Sequence, residues 1–249
     1  MSRDSGGRYV LIVRHGTKQE LSNRFDLPIC AIPKKYCQDT KHTFSKLETI
    51  KKSPNKKVVY ASPFLRTKQT AGRMANILDY RQPIYLADEL GEAYAQVSKQ
   101  LKKCGESGYR TASTSARRLD KCMNNTSQQE KIILKKAMGE LNKYKFRRSR
   151  SRRSRSSRRP KTSIKKSPTS KKAQDAAFKR GVTQILKENP EKDVVIVTHG
   201  RNVRKSIQML SPRRGIPRLS LLPPTCGSVL YKEENKKIKI VNSKGIHVI

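Results

Sequence analysis

Continuous apolar runs, each ending in a polar turn, set the predicted architecture of this chain. Tyr9–Val13 and Val194–Thr198 are the strongest runs and indicate strands buried in a mostly parallel sheet. Val58–Ala61 and Ile84–Leu86 are shorter runs that indicate two further strands. Near the end, Gly227–Val241 alternates on both sides of a Glu-Glu-Asn turn and predicts a β-hairpin.

Segments with helical periodicity lie between these runs. The predicted helices cover about Thr43–Lys51, a stretch opened by Ser62-Pro63, Gln128–Phe146, Ala173–Glu188 and Val203–Leu210. Ser62 is the expected N-cap of the second helix, with Pro63 in its first position. Because strands alternate with helices along the chain, the pattern predicts a layered α/β domain.

A segment of different composition interrupts this domain. Residues 147–172 contain no acidic residue and one clearly apolar residue, Ile164. Such a segment cannot bury enough apolar surface to offset the entropy of ordering, so we expect it to be disordered. The predicted organisation is therefore one domain in two parts, residues 8–146 and 173–249, separated by a basic insertion.

The charge of the chain is strongly positive, with 57 Lys and Arg residues against 19 Asp and Glu, a formal net charge of +38. A charge this large attracts phosphorylated ligands, acidic proteins and nucleic acid. The five cysteines show no C-x-x-C spacing, which favours free thiols and disfavours a zinc site. The sequence has neither a signal-peptide pattern nor a long apolar run, so we expect an intracellular protein, cytoplasmic or nuclear, without a membrane span.

Two of the four histidines occupy equivalent positions after the strongest strands. Residues 10–16 read VLIVRHG and residues 194–200 read VVIVTHG, so His15 and His199 each follow a strand and precede a glycine. In parallel α/β sheets, ligands bind beyond the carboxyl ends of the strands, so both imidazoles are expected in one crevice. A single histidine at a strand end is more often structural, but two equivalent ones are harder to explain in that way.

Two arginines accompany the histidines. Arg14 directly precedes His15, and Arg66 lies one turn into the helix that follows the strand Val58–Ala61. Guanidinium groups stay charged and bind phosphate through two hydrogen bonds, which makes both residues candidate phosphate ligands. In so basic a chain Arg66 alone would be an ordinary solvated residue, and its strand-Ser-Pro-x-x-Arg context is what singles it out.

Four separated motifs together resemble the histidine phosphatase superfamily, the phosphoglycerate-mutase-like enzymes with an R-H-G motif. They are Arg14-His15-Gly16, the S-P-x-x-R-x-x-Q-T-A pattern from Ser62, Leu90-Gly91-Glu92, and Thr198-His199-Gly200. The resemblance covers about residues 8–92 and 173–242. It implies a three-layer α/β/α fold with a mostly parallel mixed sheet. It also implies a metal-independent phosphatase without a cofactor, in which His15 is phosphorylated while Arg14, Arg66 and His199 hold the phosphoryl oxygens.

The chemistry of that resemblance sets requirements for individual groups. His15 needs an unprotonated nitrogen, so its other ring nitrogen should donate to a backbone carbonyl. A protonated His199 would add to the positive charge of the arginines. The L-x-E spacing makes Glu92 the expected general acid, with Glu89 as the second choice.

The substrate contacts that follow R-H-G depart from the family pattern. Thr17 and Asn23 are candidates for a polar contact, and Gly200 would allow close approach of a ligand. Residues 93–127 contain no recognisable substrate-selecting side chains, which disfavours a phosphoglycerate mutase and leaves the phosphorylated substrate open. The many lysines and arginines favour a multiply anionic substrate.

The segment SRSRRSRSSRRP resembles the arginine-serine domains of RNA-processing proteins. It would bind RNA or DNA through residues 147–172, with serine phosphorylation switching that binding off, or it would serve as a solubilising insert. A second hypothesis for the whole chain follows: a nucleic-acid-binding protein that keeps a phosphatase fold as scaffold. The sequence does not specify an oligomeric state.

Overall fold

The computed structural model describes residues 7–19, 40–91, 127–149, 171–210, 223–235 and 237–242. The predicted site residues Asn23 and Glu92 lie outside these ranges. The predicted insertion overlaps them only at its ends, where Arg147 and Arg148 belong to a strand and residues 171–172 begin a helix.

The described strands form one seven-stranded sheet in the order β4-β3-β2-β5-β1-β6-β7. Five neighbouring strands run parallel, and β6 and β7 continue the sheet as an antiparallel hairpin. The strands are β1 Arg8–Arg14, β2 Lys57–Ala61, β3 Ile84–Leu86, β4 Phe146–Arg148, β5 Asp193–Thr198, β6 Ser228–Glu234 and β7 Lys237–Asn242. The mostly parallel mixed sheet expected from the sequence is confirmed.

Helices cover both faces of this sheet, which confirms the three-layer α/β/α architecture. They are α1 Thr40–Lys52, α2 Leu65–Ile77, α3 Gln128–Leu141, α4 Lys171–Glu188 and α5 Gly200–Leu210. Alternate residues of β1 divide the core, because side chains in a strand point to opposite faces. Val10 and Ile12 pack with residues of α4 and α5, whereas Leu11 and Val13 pack with residues of α1 and α2.

The helix predicted over residues 128–146 is wrong at its carboxyl end. Helix α3 stops at Leu141, and Phe146–Arg148 forms β4. Strand β4 pairs in parallel with β3, and the amide of Ile84 donates to the carbonyl of Lys145. The reason is tertiary pairing: the open edge of β3 offers a ladder to three residues too few to show a strand pattern by themselves.

Parallel pairing brings the ends of three strands to one edge of the sheet. Arg14 of β1 is in register with Thr198 of β5, and Ala61 of β2 is in register with Val197. The ladder continues past the strand ends, because the amide of His15 donates to the carbonyl of Thr198 at 2.9 Å. The residues that follow β1, β2 and β5 therefore meet at this edge. No helix in the described part of the chain is long and apolar enough to cross a bilayer.

Candidate active site

The two imidazoles that the sequence places after β1 and β5 lie against each other. The ring centroids of His15 and His199 are 5.2 Å apart, with an interplanar angle of 69°. Both residues are buried, with 4% of His15 and 0% of His199 exposed. The predicted convergence of these residues in one crevice is therefore confirmed.

The ring of His15 is held in one tautomer. Its Nδ1 lies 2.7 Å from the carbonyl oxygen of Gly16. A carbonyl only accepts hydrogen bonds, so Nδ1 carries the proton and Nε2 keeps its lone pair. The expectation that a backbone carbonyl fixes this tautomer is confirmed, and it leaves the lone pair on Nε2.

Arg66 reaches the same site from the first turn of α2. Only 2% of this residue is exposed, and its Nη2 lies 3.5 Å from Nδ1 of His199. Its guanidinium carbon stands 4.8 Å from the ring centroid of Phe64, a cation–π contact that helps to orient the planar group. The structure thus brings Arg66 to the histidines as predicted.

Thr70 joins the loop of His15 to the helix of Arg66. The amide of Gly16 donates to the Thr70 hydroxyl at 3.0 Å, and that hydroxyl donates to the carbonyl of Arg66 at 2.7 Å. All four residues are buried. Because buried polar groups are costly to leave unpaired, this bridge fixes the loop of His15 and the backbone of Arg66 relative to each other.

The two ring nitrogens of His199 face different side chains. Its Nε2 lies 3.0 Å from the Ser62 hydroxyl, while its Nδ1 faces the guanidinium of Arg66. The protonated state expected for His199 stays a prediction; the structure shows its two ring nitrogens facing the Ser62 hydroxyl and the Arg66 guanidinium.

Arg14 and Gly200 stand in close approach at the edge of the site. The Arg14 guanidinium donates to the carbonyl of Pro223. A Cβ added at Gly200 would lie 3.2 Å from Nε of Arg14. Gly200 thus makes room for the arginine, whereas the sequence had assigned it to the substrate. Two guanidiniums and two imidazoles together give a buried cationic site suited to an oxyanion.

Comparisons with solved structures find similar chains at low sequence identity. Ecdysone phosphate phosphatase from Bombyx mori, solved with tungstate, matches with a TM-score of 0.51 and 12% identity, over 94% of this chain and 92% of that one. The chain has the histidine-phosphatase fold. Phosphoserine phosphatase from Entamoeba histolytica, solved with phosphoserine, matches with a TM-score of 0.49 and 12% identity, over 97% and 100% of the two chains.

A phosphoglycerate mutase from Bacillus anthracis is also among the matches, with a TM-score of 0.43 and 12% identity, over 98% of this chain and 96% of that one. No protein-family model matches the sequence. A search of curated proteins finds no match either. The histidine-phosphatase fold of this chain is therefore recognised through its structure rather than through overall sequence similarity.

Thr17 and Glu89 are two further residues of the predicted site, and the structure places them in different surroundings. The Thr17 hydroxyl lies 2.8 Å from the Thr225 hydroxyl, so Thr17 packs beside the segment before β6. Glu89, the second choice for the general acid, is exposed and its Cβ lies against Gly181 of α4. Burial raises the pKa of the neighbouring Asp88, and Arg148 offsets part of that rise.

The sequence did not indicate the hydroxyls that support the two histidines of the candidate site. Ser62 was predicted to cap α2, but Phe64 occupies the N-cap position without a side-chain hydrogen bond. The hydroxyl of Ser62 contacts His199 instead. The position of Ser62 directly after β2, at the sheet edge where the histidines lie, is the feature of the sequence that indicates this contact. Thr70 could have been suspected from the S-P-x-x-R-x-x-Q-T-A motif that contains it.

Cys226 lies beside His15 and is disulfide-bonded, so the expectation of free thiols is wrong for this residue. Its amide donates to the carbonyl of His15 at 3.3 Å, and its carbonyl accepts from Thr43 of α1 at 2.6 Å. Its φ of 60° is in the left-handed region, which the surrounding hydrogen bonds hold in place. The described residues contain no group of three or more His, Cys, Asp or Glu side chains that could bind a metal ion.

Proposed function

We propose that this chain is a phosphatase that hydrolyses a phosphomonoester through a phosphohistidine on His15. The observation that carries the proposal is the state of the His15 ring. Its Nδ1 is engaged by the Gly16 carbonyl, which leaves Nε2 as the ring nitrogen with the lone pair, and His199 packs against this ring with Arg66 beside it. An imidazole with one unprotonated nitrogen near cationic groups is what in-line attack on a phosphate dianion requires.

The reaction has two steps. In the first, Nε2 of His15 forms a bond to phosphorus while the bond from phosphorus to the substrate oxygen breaks. We assign the proton that this oxygen takes up to Glu92, the residue at the matching position of the L-x-E motif. In the second step, a water molecule gives its proton to the same carboxylate and attacks phosphorus. The N–P bond breaks, inorganic phosphate leaves, and the lone pair returns to His15.

The arginines and His199 stabilise charge in both steps. Arg66 and Arg14 neutralise the oxygens of the phosphoryl group as it passes between nucleophile and leaving group. Donors fixed in advance in a buried site are effective because they need no reorganisation during the reaction. His199 offers a ring N–H to the phosphoryl group, and the Ser62 hydroxyl, 3.0 Å from Nε2, holds the ring in orientation.

The proposed activity is hydrolysis rather than phosphoryl transfer between two positions of a sugar acid. The sequence between residues 93 and 127 shows no side chains selected for a phosphoglycerate, and the net charge of +38 favours a multiply anionic substrate. Structural similarity extends to both phosphatases and a mutase, so it favours neither activity over the other.

The test is release of p-nitrophenol from p-nitrophenyl phosphate in the presence of EDTA. We expect the wild-type chain to release it and the His15→Ala variant to lose the activity by a factor on the order of 10⁴ or more, because the nucleophile is removed. Loss of the wild-type activity in EDTA would reject a metal-independent reaction. Equal release by the variant would reject His15 as the nucleophile. A screen over nucleotides, phosphopeptides, RNA 5′-phosphate ends and small phosphomonoesters would then identify the substrate class.

A second candidate function is nucleic-acid binding, which the exposed lysines of α3 favour. Lys131, Lys135 and Lys136 are exposed on this helix, and its chain continues into the basic residues 147–172. We propose that these cations contact phosphates of RNA or DNA. Binding should weaken steeply with salt and should weaken further when residues 150–170 are deleted. Affinity that the deletion leaves unchanged would reject the role of the segment.

A further inference from the structure

A short turn near the site is held by side chains from two other elements. The 3₁₀ turn Asp88–Leu90 follows β3 and ends at Gly91. The carbonyl oxygens of Leu90 and Gly91 each lie 3.0 Å from Nδ2 of Asn202. The Leu90 carbonyl also accepts from the Thr198 hydroxyl at 2.7 Å, and the Gly91 carbonyl accepts from Nε2 of Gln174 at 3.1 Å.

These three donors form a buried clamp, made of Thr198, Asn202 and Gln174. Their exposed fractions are 0%, 1% and 2% respectively. Asn202 and Thr198 also contact each other at 2.8 Å. Each of the two carbonyls accepts from two donors, and Asn202 is the donor that they share, so its loss would weaken the hold on both peptides. The turn is therefore held in one position relative to β5 and α5.

The position of the clamp connects it to the proposed reaction. Thr198 directly precedes His199, and Asn202 lies one turn beyond it on α5. On the other side, Gly91 is covalently bonded to Glu92, and the second-choice acid Glu89 lies within the turn itself. The buried clamp thus links the strand end that carries His199 to the peptide that directly precedes Glu92 in the chain.

We infer that Asn202 is a positioning residue for the general acid of the reaction, with Gln174 in a supporting part. The inference rests on the proposed function. Asn202 itself does not touch the reacting atoms. It fixes the Leu90–Gly91 peptide to the strand end that carries His199, so that the carboxyl group meets the leaving oxygen. A loss of about 1 Å in this placement weakens proton transfer without removing the nucleophile.

Leaving groups of different basicity separate this role from a general loss of structure. A nitrophenolate leaves without a proton, whereas an alkoxide from glycerol 2-phosphate needs one as its bond to phosphorus breaks. A positioning defect in the acid therefore reduces hydrolysis of the alkyl ester far more than that of the aryl ester. A defect in the nucleophile or in phosphate binding reduces both.

The experiment compares kcat/KM for glycerol 2-phosphate and p-nitrophenyl phosphate in the full chain. For Asn202→Leu we expect the loss of kcat/KM on the alkyl ester to exceed the loss on the aryl ester at least about tenfold, within the range of a general acid, because kcat/KM reports the first step, in which only the alkoxide needs a proton. The matched control is Asn189→Leu. Asn189 is also a buried asparagine with two donated bonds, to Tyr60 and Ile185, but it precedes β5 at the opposite edge of the sheet. This control should lose thermal stability and keep the wild-type ratio of the two substrates.

The outcomes distinguish the inference from the function beneath it. Equal losses on both esters in Asn202→Leu, or an unchanged ratio, would overturn the role of Asn202 while the phosphatase proposal stands. If thermal unfolding shows that Asn202→Leu does not fold, Gln174→Met decides, since it removes only the bond to the Gly91 carbonyl and should shift the ratio in the same direction. An unchanged ratio in that variant would overturn the inference. A wild-type chain that hydrolyses neither ester would reject the proposed function and the inference together.

Discussion

The imidazoles of His15 and His199 meet edge to face with their centroids 5.2 Å apart, although the residues lie near opposite ends of the sequence. Parallel pairing of β1 with β5 accounts for this contact, because it aligns Arg14 with Thr198. Each histidine is the first residue after its strand. Both rings are therefore attached directly to the central strands of the sheet, and the orientation of each ring depends on the few polar groups that contact it.

The hydroxyl of Ser62 is one of those groups, and Ser62→Ala should impair catalysis without unfolding the protein. The change removes the partner of Nε2 of His199, which lies 3.0 Å away. We expect kcat/KM for p-nitrophenyl phosphate to fall about tenfold, equivalent to about 1.4 kcal/mol. The control is Ser206→Ala, which removes a buried hydroxyl bonded to Val203 and Tyr231 away from the histidines. Unchanged kinetics in Ser62→Ala would show that Ser62 does not orient His199.

The close approach of Gly200 to Arg14 predicts a binding defect in Gly200→Ala. The added Cβ would lie 3.2 Å from Nε and 3.3 Å from Cδ of Arg14, so the arginine must move by a few tenths of an ångström. We expect KM to rise roughly threefold to tenfold, because a bidentate phosphate contact depends on the placement of the guanidinium. Gly139→Ala on the exposed side of α3 is the control, since a Cβ there meets no atom within 4 Å. It should stabilise the helix by about 0.5–1 kcal/mol and leave KM unchanged. An equal KM in both variants would contradict the role of Arg14 in binding phosphate.

The fixed orientation of Arg66 predicts that a positive charge without the planar guanidinium does not support full activity at this position. Arg66→Lys keeps the positive charge and loses the planar fork that lies over Phe64 and reaches toward His199. We expect kcat/KM to fall on the order of 10²-fold, the usual loss for a donor aimed at transition-state charge. Arg73→Lys, on the same helix and paired with Glu140, should leave the kinetics unchanged. Full activity in Arg66→Lys would contradict the assignment.

The ion pair between Glu140 of α3 and Arg73 of α2 predicts a pH-dependent part of the stability. Burial raises the pKa of Glu140, but hydrogen bonds from Arg73 and Gln69 outweigh burial, so its pKa is lowered. The contribution is therefore complete above the ordinary pKa of glutamate and is lost as the pH falls through the lowered value. Denaturant titrations should show wild type about 1 kcal/mol more stable than Glu140→Gln at pH 7, with the difference vanishing in acid. Glu48→Gln on the exposed side of α1 is the control. A difference that grows toward acid pH would contradict this sign.

The central fold and the paired histidines followed from the sequence because they depend on local rules. Apolar runs such as Val194–Thr198 are buried wherever they pair, and parallel strands present their carboxyl ends at one edge. The order of the motifs indicated the candidate site residues, since a glycine after each histidine and an arginine after Ser62-Pro63 belong to one recognisable pattern. Apart from β4 and the carboxyl end of α3, the strands, the helices and the meeting of His15, His199 and Arg66 needed no further information.

The features that the sequence did not reveal all depend on contacts between distant segments. Ser62 has the local features of an N-cap, yet its hydroxyl bonds to a ring delivered by β5. Strand β4 has three residues and exists because β3 offers an open edge. Propensity and capping rules describe neighbours in sequence, and tertiary partners override them at these sites.

The most direct test of the account is to trap the phosphorylated enzyme. The chain is mixed with a phosphomonoester, quenched in alkali within milliseconds, and digested to locate the phosphate by mass spectrometry. We predict a phosphate on His15 that is stable in alkali and labile in acid, that turns over when substrate is exhausted, and that is absent in His15→Ala. Turnover without a phosphate on His15, or a phosphorylated residue that persists in His15→Ala, would contradict the proposed mechanism.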